Sequence, residues 1–242
     1  MRNDTLYQQD LSSIHIEGYG FHWEKAAPCL LQFFKQNGVD GGTVVDLGCG
    51  GGQWLEWLAA RGYQVWGIDV SASMIEAAKE RVSPSHLIHG CFSKVELPSC
   101  DAVTSLGEPI NYLGQKQAIK RTFNKVYRAL RPGGIFVFDA REPAKKPVLP
   151  RTVSRVGDSW ACICEIIEKP EINSLIRHIT TFRQVGKLFR RSQETHNLKV
   201  YSRAETLTWL RKIGFRVRHY RGYDTYRFPP GQSVYLARKP EC

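Results

Sequence analysis

The stretch Thr43-Val44-Val45-Asp46-Leu47-Gly48-Cys49-Gly50-Gly51-Gly52 decides how the rest of the chain is read. A short apolar run carrying one acid ends abruptly in glycines, after which Trp54, Leu55, Trp57 and Leu58 recur at helical spacing. The pattern predicts strand, tight turn and helix. Gly62 closes that helix, residues 64–69 (QVWGID) read as a second strand, and Ser71 is placed to cap a helix carrying Met74, Ile75, Ala77 and Ala78. Strand, helix and strand in that order make a crossover, which implies that the two strands run parallel.

Working outward, Leu30, Leu31, Phe33 and Phe34 predict a helix over 26–37, stopped by Asn37-Gly38. Residues 86–89 give a weak third strand and 101–106 a fourth, followed by a helix over 115–130. Arg131-Pro132-Gly133-Gly134 breaks that helix, and 135–139 (IFVFD) form a fifth strand. Alternating strands and helices predict an α/β, Rossmann-like, mostly parallel sheet covered by helices on both faces, with ligands beyond the strands' carboxyl ends. After Pro150 the texture changes: 160–167, 175–185 and 188–201 are extended, with turns at 170–173 and at Gly186-Lys187. They predict a small antiparallel β insertion. A helix over 203–213, stopped by Gly214, and strands over 215–220 and 233–237 complete the core. The expected division is one domain over 1–242: a lead or lid over 1–25, a cofactor-binding core over 26–140, a substrate-covering insertion over 151–201 and the core's completion over 202–242.

A chain of 242 residues, 42% hydrophobic and 24% charged, can bury one sizeable core. No apolar run approaches the roughly 20 residues that cross a bilayer, and the start MRNDT lacks the apolar stretch of a secretory signal, so no membrane association and a cytoplasmic location are expected. Cys29, Cys49, Cys91, Cys100, Cys162, Cys164 and Cys242 are odd in number and never spaced as a zinc motif, which reads as free structural thiols. The net charge of +11 is uneven: residues 1–140 hold 13 Lys+Arg against 14 Asp+Glu, whereas 141–242 hold 21 against 9. A basic second half suits an acidic ligand, a nucleic acid or simply a solvated face.

Glycines at 48, 50, 51 and 52 let the backbone turn tightly and approach a ligand, while the helix behind offers unpaired N–H groups. Asp69 ends the second strand, where a carboxylate accepts both hydroxyls of a ribose. A dinucleotide fingerprint counted from Gly48 would require glycine at position 53, where Gln53 stands.

At this point the chain resembles the class I methyltransferases. The resemblance is carried by Val44 to Gly52, Val65-Trp66-Gly67-Ile68-Asp69-Val70-Ser71, Asp101-Ala102-Val103-Thr104-Ser105 and Leu130-Arg131-Pro132-Gly133-Gly134. It implies a seven-stranded sheet with its last strand antiparallel, S-adenosylmethionine as cofactor with S-adenosylhomocysteine as product, and no metal. By the same resemblance Asp46 lies near the methionine amino group, Asp69 on the ribose, Cys91 and Phe92 at the adenine, and Leu106 with Gly107 beneath the cofactor. Gly48, Cys49, Gly50, Gly52, Trp54, Val70 and Met74 complete the expected cofactor set. The chain departs from the family at Cys91, where many members carry an acid that accepts from the adenine amino group. Adenine must then be held by backbone groups, by Phe92 or by a neighbour.

The methyl acceptor belongs among the lead, the segment after the fourth strand and the insertion. Alternation along the last insertion strand puts Leu188, Arg190, Ser192, Glu194, His196, Leu198 and Val200 on one side, apolar at its ends and polar in its middle. His15, Glu108 and His196 are the expected catalytic groups, with His15 the first base to test. Tyr19, Trp23, Asn111, Tyr112, Arg190 and Glu194 are the expected substrate contacts. Three functions compete: transfer to a small molecule, favoured by the pocket-covering insertion; RNA methylation, favoured by Arg177, Arg183, Arg190, Arg191, Arg216, Arg218, Arg221 and Arg227 interleaved with Tyr220, Tyr223 and Tyr226; and a non-catalytic relative that keeps the loop. The sequence leaves open a monomer or a homodimer.

Overall fold

The computed structural model describes residues 6–144 and 148–241. Cys242 and the first five residues of the lead lie outside them.

Strand β1 (Thr43–Leu47) is buried along its whole length, which a short β-branched run bounded by glycines favours. Helix α3 (Gln53–Ala59) returns the chain to β2 (Gln64–Asp69), and Ser71 Oγ accepts from Met74 N at 3.2 Å to cap α4 (Ala72–Ala78). Next come β3 (Leu87–His89), β4 (Cys100–Ser105), α5 (Lys116–Ala129) and β5 (Leu130–Arg141). The insertion holds β6 (Arg151–Val156), β7 (Trp160–Lys169), β8 (Ser174–Val185) and β9 (Leu188–Lys199). Helix α6 (Arg203–Ile213), β10 (Arg216–Tyr220), the hairpin β11 (Gly222–Tyr223) and β12 (Tyr226–Arg227), and β13 (Gln232–Arg238) follow. Ahead of all these lie α1 (Gln9–Gly18) and α2 (Phe21–Gln36).

The main sheet has seven strands in the order β10-β13-β5-β4-β1-β2-β3, with β13 antiparallel to both its neighbours. Side chains alternate between its two faces. Val44, Ala102, Ile135 and Val137 enter the core beneath α2 and α3, while Val45, Leu47, Val103, Phe136 and Phe138 enter the core beneath α5 and α6. The second sheet is a meander, β6-β7-β8-β9, antiparallel throughout.

Four elements differ from the sequence reading. Helix α2 begins at Phe21 rather than Ala26, extending its apolar face into the lead. Residues 131–134, read as the break between the helix and the fifth strand, lie within β5 as a bulge, because Cys100 pairs Leu130 and Ala102 pairs Ile135. The meander has four strands, not three: β6 is an almost wholly exposed edge, so its sequence lacks apolar alternation. The lead, to which the sequence reading assigned no helix, contains α1.

Candidate active site

Register places the chemistry. Asp46 pairs Thr104 and Gly67, and Thr104 pairs Val137. Two residues on from Gly67 and Val137 stand Asp69 and Asp139, so Asp46, Asp69, Thr104 and Asp139 share one face at the strands' carboxyl ends. Asp46 accepts from the Thr104 hydroxyl at 2.6 Å, and Thr104 in turn accepts from Trp54 Nε1 at 3.2 Å. Burial, opposed by the Thr104 bond and reinforced by Asp69 and Asp139, pushes the Asp46 carboxyl up to about 7. Burial raises Asp69 also, against its bonds from the N–H groups of Ser71 at 2.8 Å and Gly50 at 2.9 Å.

The glycine loop leaves room for a ligand. Gly50 has φ 54°, and a Cβ there would meet only Met74 Sδ, 3.9 Å away. At Gly51, by contrast, a Cβ would stand 2.6 Å from Ile16 Cγ1, because α1 packs directly on the loop. Gln53 Nε2 donates to the Ile16 carbonyl at 3.2 Å and Ser71 Oγ to the Tyr7 carbonyl at 2.7 Å, so the lead bridges both acid-bearing loops. Two carboxylates beside an open Gly50 suit a cationic, nucleoside-bearing cofactor.

The remaining expected cofactor residues lie as follows. Gly48 and Cys49 give their N–H groups to the Ile68 carbonyl at 2.7 and 3.1 Å, Gly52 gives its own to the Cys49 carbonyl, and Val70 accepts from His89 at 3.0 Å. Met74 is buried, Cys91 Sγ lies 3.1 Å from Ser93 Oγ, and Phe92 is packed into the core on the α5 side of the sheet. Leu106 lies against the other core, and Gly107, at φ 83°, gives its N–H to Asp139 at 3.1 Å.

Asp139 is a hub that the sequence reading did not single out. Fully buried, it accepts from Gly107 N, Glu108 N at 2.9 Å, His22 Nε2 at 3.2 Å and the Tyr223 hydroxyl at 3.0 Å. Burial pulls the His22 pKa down, but Asp139 by charge and hydrogen bond, with Glu108, sets it above its ordinary value. Its position at the end of a central strand, like Asp46 and Asp69, was the available signal.

The inner face of the meander lies over this edge. Along its expected strip Arg190 and Ser192 meet Asp10 of α1, Glu194 and His196 meet Tyr7 and Tyr112, Leu198 and Val200 pack with Ile166 and Leu175, and Leu188 is exposed. Arg190, an expected substrate contact, is instead held by Asp10, together with Ser192 at 2.8 Å. Glu194 accepts from Tyr7 N at 2.7 Å, from Gln8 N at 2.9 Å, and sits 2.9 Å from His196 Nε2. Asn111 is fully used in tying β5 to β9: it donates to the Arg141 and Lys199 carbonyls and accepts from Arg141 N. Trp23 packs on Trp54 and Trp57 and is the described residue whose buried indole N–H lacks a partner.

His15, Tyr19, Tyr112, Glu108 and His196 do come together. His15 is stacked on Tyr19 with centroids 5.3 Å apart and edge-on to Tyr7 at 5.2 Å. Burial, then the charges of His22, Arg177 and His196, push His15 down to about 4. Glu108, in the left-handed region at φ 71°, accepts from Arg177 Nη2 at 2.6 Å, and Arg177 Nη1 lies 3.4 Å from Tyr112 Oη. Arg177 and the tyrosines of the basic half therefore point inward: Tyr223 bonds Asp139, Tyr226 Oη lies 3.0 Å from His22 Nδ1, and Tyr220 packs on Phe33.

A parallel sheet of this order, with an acid and glycine loop after β1 and an acid ending β2, defines the class I methyltransferase fold. Comparison with known proteins agrees. The family described as Methyltransferase domain matches residues 44–134. A Bacillus subtilis (strain 168) protein named as a methyltransferase, YqeM, is 29% identical over 209 residues, covering 83% of this chain and 84% of that protein. In structure the chain is similar to an S-adenosylmethionine-dependent methyltransferase from Clostridium acetobutylicum ATCC 824, with TM-score 0.80 and 18% identity over 94% of this chain and 96% of that one. It is also similar to a sugar N-methyltransferase from Streptoalloteichus sp ATCC 53650, with TM-score 0.78 and 16% identity over 95% and 92%. The chain carries a methyltransferase domain on the class I fold, and the comparisons together support an S-adenosylmethionine-dependent methyltransferase. No helix among the described residues is long and apolar enough to cross a membrane.

Proposed function

We propose that this enzyme transfers a methyl group from S-adenosylmethionine to an electron-rich atom of a small molecule held between the lead and the meander. One observation carries the reading: the polar groups on the acceptor side are shielded from solvent. The side chains of Arg177 and Glu108 are 19% and 9% exposed, and those of His196 and Glu194 are 0% and 6% exposed. Polar groups shielded this far suit a compact acceptor. The inward use of Arg177, Tyr220, Tyr223 and Tyr226 removes groups that would otherwise stack on or neutralise RNA.

The bound cofactor supplies an activated methyl on a sulfonium, and the protein's work is alignment and proton removal. Gly48, Cys49, Gly50 and Gly52 form the cradle, and Asp69 faces the ribose. Asp46, steadied by Thr104 and Trp54, faces the ammonium end. Val70, Met74, Cys91, Phe92, Leu106 and Gly107 complete the surround. Tyr19, Trp23 and Tyr112 wall the acceptor chamber. Glu108 orients Arg177 there, and His15, whose pKa near 4 leaves it a poor holder of a proton at neutrality, is a wall. Proton acceptance falls to His196. A cytoplasmic location goes with this reading.

Incubation with S-adenosylmethionine tritiated on the methyl, offered separately to the low-molecular-mass fraction and to total RNA of a cell extract, tests it. Label should enter the small-molecule fraction. Label confined to RNA, retained in a salt-sensitive complex, would overturn the reading.

A further inference from the structure

Four side chains on the chamber wall form a hydrogen-bonded row with a single direction. Glu194 Oε2 lies 2.9 Å from His196 Nε2, and Tyr112 Oη lies 3.1 Å from His196 Nδ1. A carboxylate has no proton to give, so in the neutral imidazole Nε2 carries the hydrogen and Nδ1 accepts. Tyr112 therefore donates to Nδ1. Its one proton is then committed, so Tyr7 Oη, 3.3 Å away, donates to Tyr112 Oη. Arg177 Nη1, at 3.4 Å, aims a further donor at the same oxygen. Tyr112 Oη thus gives one bond and accepts two, and is filled. Tyr7 Oη gives its proton and accepts no bond from any described residue, which leaves the row one open end.

Tyr7 is held at that end against its own backbone preference. Its φ of 50° lies in the left-handed region, which a non-glycine residue adopts only at a cost. Glu194, the acid at the far end of the row, accepts the Tyr7 N–H at 2.7 Å, and Ser71 Oγ donates to the Tyr7 carbonyl at 2.7 Å. Ser71 also gives its N–H to Asp69, so the open phenol is fixed between the ribose acid's loop and the meander. Strain of this kind, held here by Glu194 and Ser71, clusters at functional positions.

We propose that Tyr7 takes the proton of the methyl acceptor and passes its own through Tyr112 to His196, with Glu194 stabilising the imidazolium formed. This rests on the small-molecule reading above. The acceptor's lone pair forms the bond to the methyl carbon, and the carbon–sulfur pair stays on sulfur, which becomes a neutral thioether. The acceptor's proton goes to Tyr7 Oη, the Tyr7 proton to Tyr112, and the Tyr112 proton to His196 Nδ1. One positive charge leaves sulfur and one appears on His196. Because His196 is fully buried, the new charge is tolerable only beside Glu194, 2.9 Å away. Burial, followed by Tyr112, raises the Tyr7 pKa, so a standing phenolate is disfavoured and the proton must move through in concert. Tyr7 touches the acceptor; Tyr112, His196 and Glu194 are positioning residues that act through it.

The test compares wild type, Tyr7→Phe and Tyr112→Phe, each checked by calorimetry with S-adenosylmethionine, by transfer of tritiated methyl to the low-molecular-mass fraction of an extract, and by nitrogen-15 histidine NMR. Tyr7→Phe should bind S-adenosylmethionine within about threefold of wild type and leave the His196 Nε2–H tautomer in place. Its transfer rate should fall on the order of 100-fold or more, the range of general-base loss. Tyr112→Phe should slow transfer similarly and also shift the His196 Nδ1 resonance, whose donor is gone. A Tyr7→Phe enzyme as fast as wild type, or a His196 protonated on Nδ1 in the neutral form, overturns the relay alone. A wild-type protein that labels no small molecule overturns the function proposed above, and the relay with it.

Discussion

Replacing Asp46 with Asn should flatten the pH dependence of folding stability between pH 5 and pH 8. Asp46 is 3% exposed, accepts from Thr104 and has its pKa raised from 3.8 to about 7, first by burial and then by Asp69 and Asp139. An acid whose pKa is higher folded than unfolded is protonated in the fold while already ionised in the unfolded chain. Its contribution is therefore complete below about pH 4 and drains away as pH rises toward 7. The slope is about 1.4 kcal/mol per pH unit, which over roughly three units amounts to about 4 kcal/mol, with about 3 of it between pH 5 and 8. Asparagine keeps the oxygen that accepts from Thr104 and cannot ionise. Urea unfolding of both proteins without cofactor, at half-unit pH steps, gives the difference directly. Wild type should lose about 3 kcal/mol relative to Asp46→Asn across that window, whatever the constant offset between them. A difference that stays level with pH would refute the buried-acid argument. On the proposed placement of the ammonium beside Asp46, cofactor binding at pH 6 should also release a proton, visible as calorimetric heats that differ between buffers of unlike ionisation enthalpy.

Two further substitutions probe the packing around the cleft. Gly51→Ala should destabilise the protein by about 1–3 kcal/mol, because its methyl would stand 2.6 Å from Ile16 Cγ1, and Ile16→Ala added to it should recover most of that loss in the same urea titration. Asp139→Asn should cost about 2–4 kcal/mol, since an amide in place of one carboxylate oxygen turns a donor toward groups that are themselves donors; the His22 pKa, followed by NMR, should fall as the charge that raises it disappears.

How much of this was readable in the sequence depends on the range of the interactions. Strand 64–69 and helix 203–213 were legible to the residue, because local periodicity, a capping box at Ser202 and Glu205, and Gly214 at φ 117° settle them within one segment. Asp46 and Asp69 were legible since each ends an apolar strand beside a glycine or a cap. Asp139 was not, although it also ends a strand: what distinguishes it is convergence of His22, Gly107, Glu108 and Tyr223, up to 117 residues distant. Arg190 and Glu194 alternate along β9 as the sequence predicts, yet their partners, Asp10 and the backbone of Tyr7 and Gln8, lie 180 or more residues away. Helix α1 escaped notice for a related reason: QDLSSIHIEG holds too few apolar residues to show an amphipathic period.

That poverty of apolar residues has a dynamic consequence. Within α1 the fully buried apolar side chains are Leu11 and Ile14, packed on Trp160, Cys162 and Ile179. A helix this short is marginal alone. Polar ties add to its hold: Asp10 with Arg190 and Ser192, Glu17 with Trp160 at 2.7 Å, Glu194 with Tyr7 and Gln8, and Gln53 with Ile16. The same helix lies on Gly51, so a ligand reaching the glycine loop must pass it, and once bound packs against it. Hydrogen exchange should therefore find the amides of α1 opening orders of magnitude faster than those of β1, faster still in Arg190→Ala, and slower with S-adenosylmethionine bound. Protection of α1 equal to that of β1 in the free protein would show that the lead is a fixed wall, and that ligands enter by another route.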